Sequence, residues 1–537
     1  MNKRILSVFV CCALYYSAQA QDAKGGISTD MMQQIKQSYQ NTSADKAIRN
    51  AIGSNDIRKL ALNQDNMKGM DTHFSVKVNS KGITNQKSSG RCWLFTGLNV
   101  MRAKAIDKYH LGSFEFSQTY PFFFDQLEKA NLFLQGIIDT SDKPMNDKMV
   151  EKIIEIAETD PAGWRKTTLE ERHRIMYEAA NRLADMRGDL IGCMCAVTGK
   201  TVIEGDVEVS EAVDYARFYT TAMKKFAALD DIEIKPKGTI LVISPWNFPC
   251  AIPVGGIVAG LAGGNTVILK PATVAAPVAW MFAKAFWDAG VPKEALQVII
   301  TNREALKVLT TAPAIKHIIL TGGTDTAQNI ARANPVTPLS AETGGKNVII
   351  LTASGDRDHA IMNIVASAFG NAGQKCSACS LLLVERSVYE DKNFQSKLKD
   401  AATSLKVGSV WNPGNIVGPM ITNKNDKLLQ AFNLEPGESW LVPPRFIDEK
   451  EYMLAPTVKW GVKPENFSFR TELFGPLLSV ACIENLEEGI KLVNSLDYGL
   501  TSGLQSLDEE EQKLWKNSVI AGNLYINRGI TGAIVNR

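Results

Sequence analysis

The chain has 537 residues, 45% of them hydrophobic and 22% charged, with a formal net charge of +2. That is ordinary globular composition with room for two or three domains, and so weak a field, without long runs of like charge, speaks against nucleic acid or an acidic membrane surface as a partner. Small molecules are the partners it predicts.

Residues 1–20 carry Lys3 and Arg4, an apolar stretch from Ile5 to Leu14, and Ser17-Ala18-Gln19-Ala20 before Gln21. These are the three parts of a secretory signal peptide with an Ala-x-Ala cleavage site. The apolar part falls short of the roughly 20 residues of a membrane span, and no other stretch reaches that length. Two of nine cysteines, Cys11 and Cys12, lie in this leader. Cys92, Cys193, Cys195, Cys250, Cys376, Cys379 and Cys482 remain, an odd number without framework spacing, which suits a reducing compartment. The leader implies export and the thiols favour the cytoplasm for the activity. The close pairs Cys193/Cys195 and Cys376/Cys379 lack a second Cys or His pair at zinc spacing, so no metal is expected.

From Ser28 to about Glu151 the chain is polar and irregular, with a helical pattern beginning after Gly90 and aromatic density from Phe114 to Phe124. Apolar positions three and four apart then predict amphipathic helices over 168–190 and 206–227. Strands are predicted at Thr239–Ser244, Thr266–Leu269, Leu296–Ile300 and Ile315–Leu320, with helices over about Ala275–Ala289 and from about Asp325. A second alternation follows: Val348–Leu351, a helix from Asp358 to Asn371, Ser380–Val384, Leu477–Ile483 and Gly522–Ile526. Short apolar runs alternating with helices predict an α/β fold with a mostly parallel sheet covered on both faces, compatible with a nucleotide site at the carboxyl ends of its strands.

Cys376 ends Phe369-Gly370-Asn371-Ala372-Gly373-Gln374-Lys375-Cys376, thirty-four positions after Glu342 in Glu342-Thr343-Gly344-Gly345-Lys346. A thiol nucleophile with a carboxylate base suits oxidation of an aldehyde. That chemistry requires a thiolate, a donor for the developing oxyanion, a bound nicotinamide cofactor, and a base to bring water onto the thioester. Ser244-Pro245-Trp246-Asn247-Phe248-Pro249 directly follows a strand, and Leu269-Lys270-Pro271-Ala272 follows the next. The bland alternatives are a small buried thiol, a solvated turn glutamate, a helix-capping asparagine, and at Gly322-Gly323 an ordinary turn, since no Gly-x-Gly-x-x-Gly fingerprint is present.

Seven pieces occur in order: Pro245–Pro249, Gly263-Gly264-Asn265 to Lys270-Pro271, Thr321–Thr324, Glu342–Lys346, Gly373–Cys376, Glu472-Leu473-Phe474-Gly475-Pro476 and Asn523–Arg528. On these, residues from about 152 to 537 resemble the aldehyde dehydrogenase superfamily. In detail they are similar to the 1-pyrroline-5-carboxylate (L-glutamate γ-semialdehyde) dehydrogenases of proline catabolism. The resemblance implies that Cys376 is the nucleophile, Glu342 the base for hydrolysis, and Asn247, with the Cys376 N–H, the oxyanion donor. It places Lys270 at the adenosine ribose, Gly322 and Gly323 beside the pyrophosphate, and Glu472 at the nicotinamide ribose. Phe474 and Trp246 pack near the cofactor, and Ser377 helps hold the substrate carboxylate. The implied cofactor is NAD, with NADP left open because Thr273 stands where many members carry a ribose-binding glutamate. A homo-oligomer is expected for the family. The chain stops at Val535-Asn536-Arg537, where relatives continue through a substrate loop and a final strand, which implies an incomplete carboxylate anchor and an exposed sheet edge that weakens the dimer.

The preceding segment carries Gln86 six residues before Cys92 in Gly90-Arg91-Cys92-Trp93, and resembles the start of the bleomycin hydrolase and aminopeptidase C branch of papain-like cysteine peptidases. By resemblance Cys92 is the nucleophile, at a helix start whose dipole favours a thiolate, and Gln86 the oxyanion donor. The mechanism also requires a distant His and Asn. Of His73, His110, His173, His317 and His359, only His359, followed by Ala360, superficially resembles that partner, and it falls in the helix leading to Cys376. The peptidase half is therefore expected to be inert and a partial α+β fragment.

The expected organisation is a signal peptide at 1–20, the peptidase-like segment at 21–151, a NAD-binding domain with N-terminal helices at 152–340, a thiol domain at 341–500, and a truncated return to the NAD and oligomerisation region at 501–537. Three readings stand: an NAD-dependent oxidoreductase for L-glutamate γ-semialdehyde, a cysteine aminopeptidase, and a non-functional joining of the two. The first keeps the most machinery, while the absence of a linker or a complete domain at the join supports joining as the chain's origin.

Overall fold

The computed structural model describes residues 29–38, 42–54, 73–78, 80–87, 91–141, 147–422, 425–448, 450 and 452–532; the leader 1–20 and the last five residues lie outside this set. The chain divides near residue 139 into two units. In the first, helices α1 (Thr29–Ser38), α2 (Ser43–Ser54), α3 (Cys92–Tyr109) and α4 (Thr119–Ser141) are joined by irregular segments. The buried Arg102 on α3 donates to the carbonyls of Ser80, Lys81 and Gly82 at 2.9–3.0 Å, tying that segment to the helix. Trp93, Val100, Met101, Tyr120 and Phe123 are exposed. The hydrophobic clusters of the described residues all begin at or after Val150, so the peptidase-like unit shows no closed core among its described residues.

The second unit opens with α5 (Asp147–Thr159), α6 (Leu169–Asp185), α7 (Arg187–Thr198) and α8 (Val202–Ala227). A doubly wound half follows: β1 (Thr239–Ile243), α9 (Ala251–Ala262), β2 (Thr266–Lys270), α10 (Ala276–Ala289), β3 (Leu296–Val298), α11 (Arg303–Thr311), β4 (Ile315–Thr321), α12 (Thr324–Ala333) and β5 (Leu339–Glu342). Its sheet is parallel throughout in the order β3-β2-β1-β4-β5. That order reverses direction between β1 and β4, where loops leaving the carboxyl ends open a crevice for a ligand. β1 is buried along its whole length, as a central strand covered on both faces must be.

A second sheet carries β6 (Asn347–Leu351), α13 (Arg357–Phe369), β7 (Cys379–Glu385), α14 (Lys392–Ser404), β8 (Ser439–Val442), the ribbon β9 (Phe446–Asp448) with β10 (Met453–Leu454), β11 (Thr457–Trp460), β12 (Leu477–Ile483), α15 (Leu486–Asn494), β13 (Thr501–Gln505), α16 (Glu509–Ser518) and β14 (Asn523–Ile526). The seven strands of the sheet proper run β14-β13-β6-β7-β12-β11-β8, antiparallel only at β11–β8. Among the described residues no helix is long and apolar enough to cross a membrane.

Two expected boundaries move. A break at 151 would cut α5, yet Val150, Ile154 and Ala157 are buried against Leu241, Ile268 and Ile315 of the first sheet. Ile153 and Ala157 also accept side-chain bonds from Gln297 (3.0 Å) and Thr266 (2.7 Å). Their helical spacing is easily overlooked inside a run of lysines and glutamates. The segment 501–526 does not return to the first sheet: β13 pairs with β6 and β14 with β13, both parallel. Each predicted strand otherwise lies within about two residues of an observed one, while β5, β8 to β11 and β13 were not predicted.

Candidate active site

The loop leaving β1 presents Asn247, buried, with its Nδ2 donating to the Gln374 carbonyl at 3.0 Å. That bond joins the end of the first sheet to the loop bearing Cys376. Between α13 and β7 the chain turns on three successive left-handed residues, Asn371 (φ 52°), Ala372 (φ 53°) and Gly373 (φ 69°). The left-handed form costs an alanine about 1–2 kcal/mol, so its neighbours must hold it. Gln374 Nε2 donates to Asn371 O (3.2 Å) and Pro419 O (3.4 Å), while its Oε1 accepts from Ile421 N at 2.8 Å. Beyond the turn, Asn347 Nδ2 donates to the carbonyls of Cys376 (2.6 Å) and Ala378 (3.0 Å), and Asn347 Oδ1 accepts from Thr501 N at 3.1 Å. The half-buried Cys376 is thus carried on a stretch of main chain fixed at both ends.

Burial pushes the Cys376 thiol up to about 11; the Glu342 carboxylate, and less strongly Glu472, add to the rise, against backbone N–H groups of Ser377 and Cys376. Those two carboxylates therefore act on the sulfur, and Ser377 follows it, half-buried. Glu342 ends β5 opposite Thr321, and its carbonyl accepts from Gly322 N at 3.1 Å. Glu472 accepts from Gly345 N at 2.8 Å, and a methyl carbon on Gly344 would collide with its carboxylate, while one on Gly345 would meet the Cys376 carbonyl at 2.6 Å, so each glycine permits a different close approach. Burial raises the Glu472 carboxyl above its ordinary range, partly offset by that N–H. The side chain expected at the nicotinamide ribose thus also ties the chain just beyond Glu342.

Of the residues expected at a dinucleotide, Lys270 and the Gly322-Gly323 pair stand at the carboxyl ends of β2 and β4, the two strands that flank β1. Lys270 ends β2 half-buried, its amine lowered by desolvation. Gly323 caps α12 without a side-chain bond, leaving the helix start open to an anion, while the Gly322 N–H is committed to Glu342. Ser244 Oγ, at the end of β1, is buried without a protein partner, a donor available to a ligand. Trp246 and Phe474 meet edge to face at 5.9 Å and line a cavity of about 470 Å³ with Gln374, Asn425 and Lys427. Thr273, opening a short 3-10 turn three residues after Lys270, supplies no carboxylate. These groups fit a nicotinamide dinucleotide.

Sequence reasoning did not single out Gln374, Asn347, Lys200 and Glu208, or the ion pair of Lys375 with Glu204 at 2.7 Å. Glutamates at 204, 208 and 211 along α8 have the spacing of a solvated helix face, and only the packing shows that Glu208 is buried. In the first unit Cys92 is exposed in the first turn of α3, and Gln86 Oε1 accepts from Arg91 N at 2.6 Å. His359 lies exposed near the start of α13, in the second unit.

Residues 137–536 match the model of the aldehyde dehydrogenase family, and residues 26–175 that of the Peptidase C1-like family. Where the two overlap, Val150, Ile154, Trp164 and Ile175 are buried in the cores around the first sheet, and packing assigns them to the dehydrogenase body. The chain is similar to a 1-pyrroline-5-carboxylate dehydrogenase from a Geobacillus strain, with 32% identity over 411 residues, covering 73% of this chain and 79% of that one. It is similar in structure to 1-pyrroline-5-carboxylate dehydrogenase from Thermus with bound NAD (30% identity, TM-score 0.69, 73% of this chain and 80% of that one). It also resembles Proline Utilization A from Corynebacterium freiburgense (39% identity, TM-score 0.68), matching 73% of this chain but only 40% of that longer one. A doubly wound parallel sheet, a mixed second sheet with a thiol on the turn between α13 and β7, and a family match over most of the length converge, and the chain belongs to the aldehyde dehydrogenase family.

Proposed function

We propose that the protein oxidises L-glutamate γ-semialdehyde to L-glutamate with NAD, using Cys376 as nucleophile. The observation that carries this reading is the convergence of Asn247, the Cys376 turn and Glu342 at the carboxyl ends of β1 and β5. At neutral pH the thiol rests protonated, and its proton passes to solvent as the thiolate forms, leaving the Glu342 carboxylate free for the hydrolytic step. The sulfur then bonds to the aldehyde carbon. The carbonyl oxygen takes up negative charge between the Asn247 amide and the Cys376 N–H, donors held in place before the charge develops. A bound nicotinamide would accept the hydride that leaves this carbon. Glu342 next withdraws a proton from water as its oxygen attacks the Cys376 thioester, and the C–S bond breaks to return the thiolate and release the acid.

Ser377 is the candidate anchor for the substrate carboxylate, and Lys270, Gly323, Glu472, Trp246 and Phe474 the candidate cofactor contacts. Without a carboxylate at 273, NAD is preferred over NADP by fewer contacts than in members that carry one. Its free thiols fit activity in a reducing compartment. The names of the relatives support the substrate. Cys376→Ala should abolish NADH formation with the semialdehyde, and Glu342→Gln should leave an initial burst of NADH followed by slow thioester release. Unchanged steady turnover in either variant would reject the assignment.

A further inference from the structure

Beneath the Asn247 loop lies an ion pair that the reaction does not use. Lys200, between α7 and α8, and Glu208, on the second turn of α8, meet at 2.6 Å with side chains 1% and 0% exposed. Charges are withdrawn from water at a large cost that their attraction alone rarely repays, and a solvated pair elsewhere on α8 would avoid it. This pair has further partners. Glu208 Oε1 accepts from the N–H groups of Cys250 (2.7 Å) and Ala251 (3.1 Å). These open α9, whose cap Cys250 offers no side-chain bond of its own. The Lys200 ammonium sits 4.1 Å from the centroid of the Phe248 ring, within reach of a cation–π attraction. The two residues thus grip the loop on the carboxyl-terminal side of Asn247, at its neighbour Phe248 and at Cys250. From the opposite side the Asn247 amide is held by the Gln374 carbonyl.

We infer that Lys200 and Glu208 are positioning residues for Asn247, fixing its amide where the oxyanion forms. Glu208 supplies the acceptor that ends the loop and starts α9. Lys200 neutralises that carboxylate and presses on Phe248. Neither side chain touches substrate or cofactor; both act through the loop. The inference rests on the assignment of Asn247 as oxyanion donor. It predicts a loss centred on the chemical step: of the groups assigned to the dinucleotide only Ser244 and Trp246 share this loop, on the amino-terminal side of Asn247 away from the grip at Phe248 and Cys250, while Lys270, Gly323, Glu472 and Phe474 stand on other segments.

The test uses the full chain. Steady-state oxidation of the semialdehyde is measured for Asn247→Ala, Glu208→Ala, Glu208→Gln and the double variant Asn247→Ala/Glu208→Ala, with KM for NAD, circular dichroism and iodoacetamide alkylation of Cys376 recorded alongside. Asn247→Ala tests the underlying assignment by itself: a wild-type kcat there removes Asn247 as donor whatever the pair does. With a loss established, Glu208→Ala is expected to lower kcat ~10- to 100-fold at unchanged KM for NAD, a misplaced donor costing up to about 100-fold and less than the removal of one. Glu208→Gln, which keeps an acceptor oxygen, recovers most of that loss. The double variant is no slower than Asn247→Ala alone. If Glu208→Ala does not fold, the same cycle is run with Lys200→Met/Glu208→Leu, an apolar pair of the kind that buried ion pairs tolerate. Losses that multiply in the double variant, or a folded variant without the acceptor that turns over at the wild-type rate, overturn the inference.

Discussion

Burial and the Glu342 carboxylate together keep the Cys376 thiol protonated well above neutrality, so the resting enzyme presents a quiet sulfur. Its alkylation by iodoacetamide, followed without cofactor, should climb steadily with pH toward a midpoint near 11. Removing the like charge in Glu342→Gln favours the thiolate and lowers that midpoint, so alkylation at pH 8 should quicken by ~3- to 10-fold, the equivalent of half to one pKa unit. An unchanged profile would mean that the carboxylate does not act on the sulfur. Cys376, Glu342 and Asn247 were readable from the chain because each sits in an unusual motif beside a strand end. Gln374 and Asn347 were not, since they act through main-chain carbonyls and N–H groups that only the folded loops bring near.

The turn between α13 and β7 is the most constrained element of the site. Gly373 is left-handed, and an added methyl carbon would strike the Gly475 carbonyl, main chain that cannot rotate away. Gly373→Ala should therefore cost more than about 3 kcal/mol and abolish activity, whereas Ala372→Gly, which relieves a left-handed alanine at the cost of a looser unfolded chain, should stay within about 1 kcal/mol. Denaturant melts of the two variants check this; equal stabilities would deny that the turn is sterically locked. Elements with a buried apolar run, such as β1, β6 and β12, were legible in the sequence. β5 was not: its Leu-Ser-Ala-Glu is largely exposed and held by its register on β4, so the strand that carries Glu342 has no apolar signature. α9 was missed for the opposite reason, being apolar on nearly every side and so without a period to read.

At the scale of the molecule, every residue assigned to the dehydrogenase site lies in the second unit, with Cys92 and Gln86 in the first. Cys92→Ser should leave semialdehyde oxidation unchanged, measured as NADH formation beside the wild type; a loss would tie the first unit to the activity. A thiol-dependent release of N-terminal residues from a peptide, abolished by the same change, would revive the peptidase reading. The unit boundary was misread in the sequence because motif content, not packing, placed it, and packing puts it upstream of α5.

That placement of α5 also bears on how such a chain can be rearranged. Val150, Ile154 and Ala157 seal the face of the first sheet near β2 and β3, so a genetic joint inside this helix would uncover the strands that set the cofactor crevice. A joint upstream of residue 147 leaves that face closed. The stretch of chain before α5 can therefore change without uncovering the face of the first sheet that Val150, Ile154 and Ala157 close.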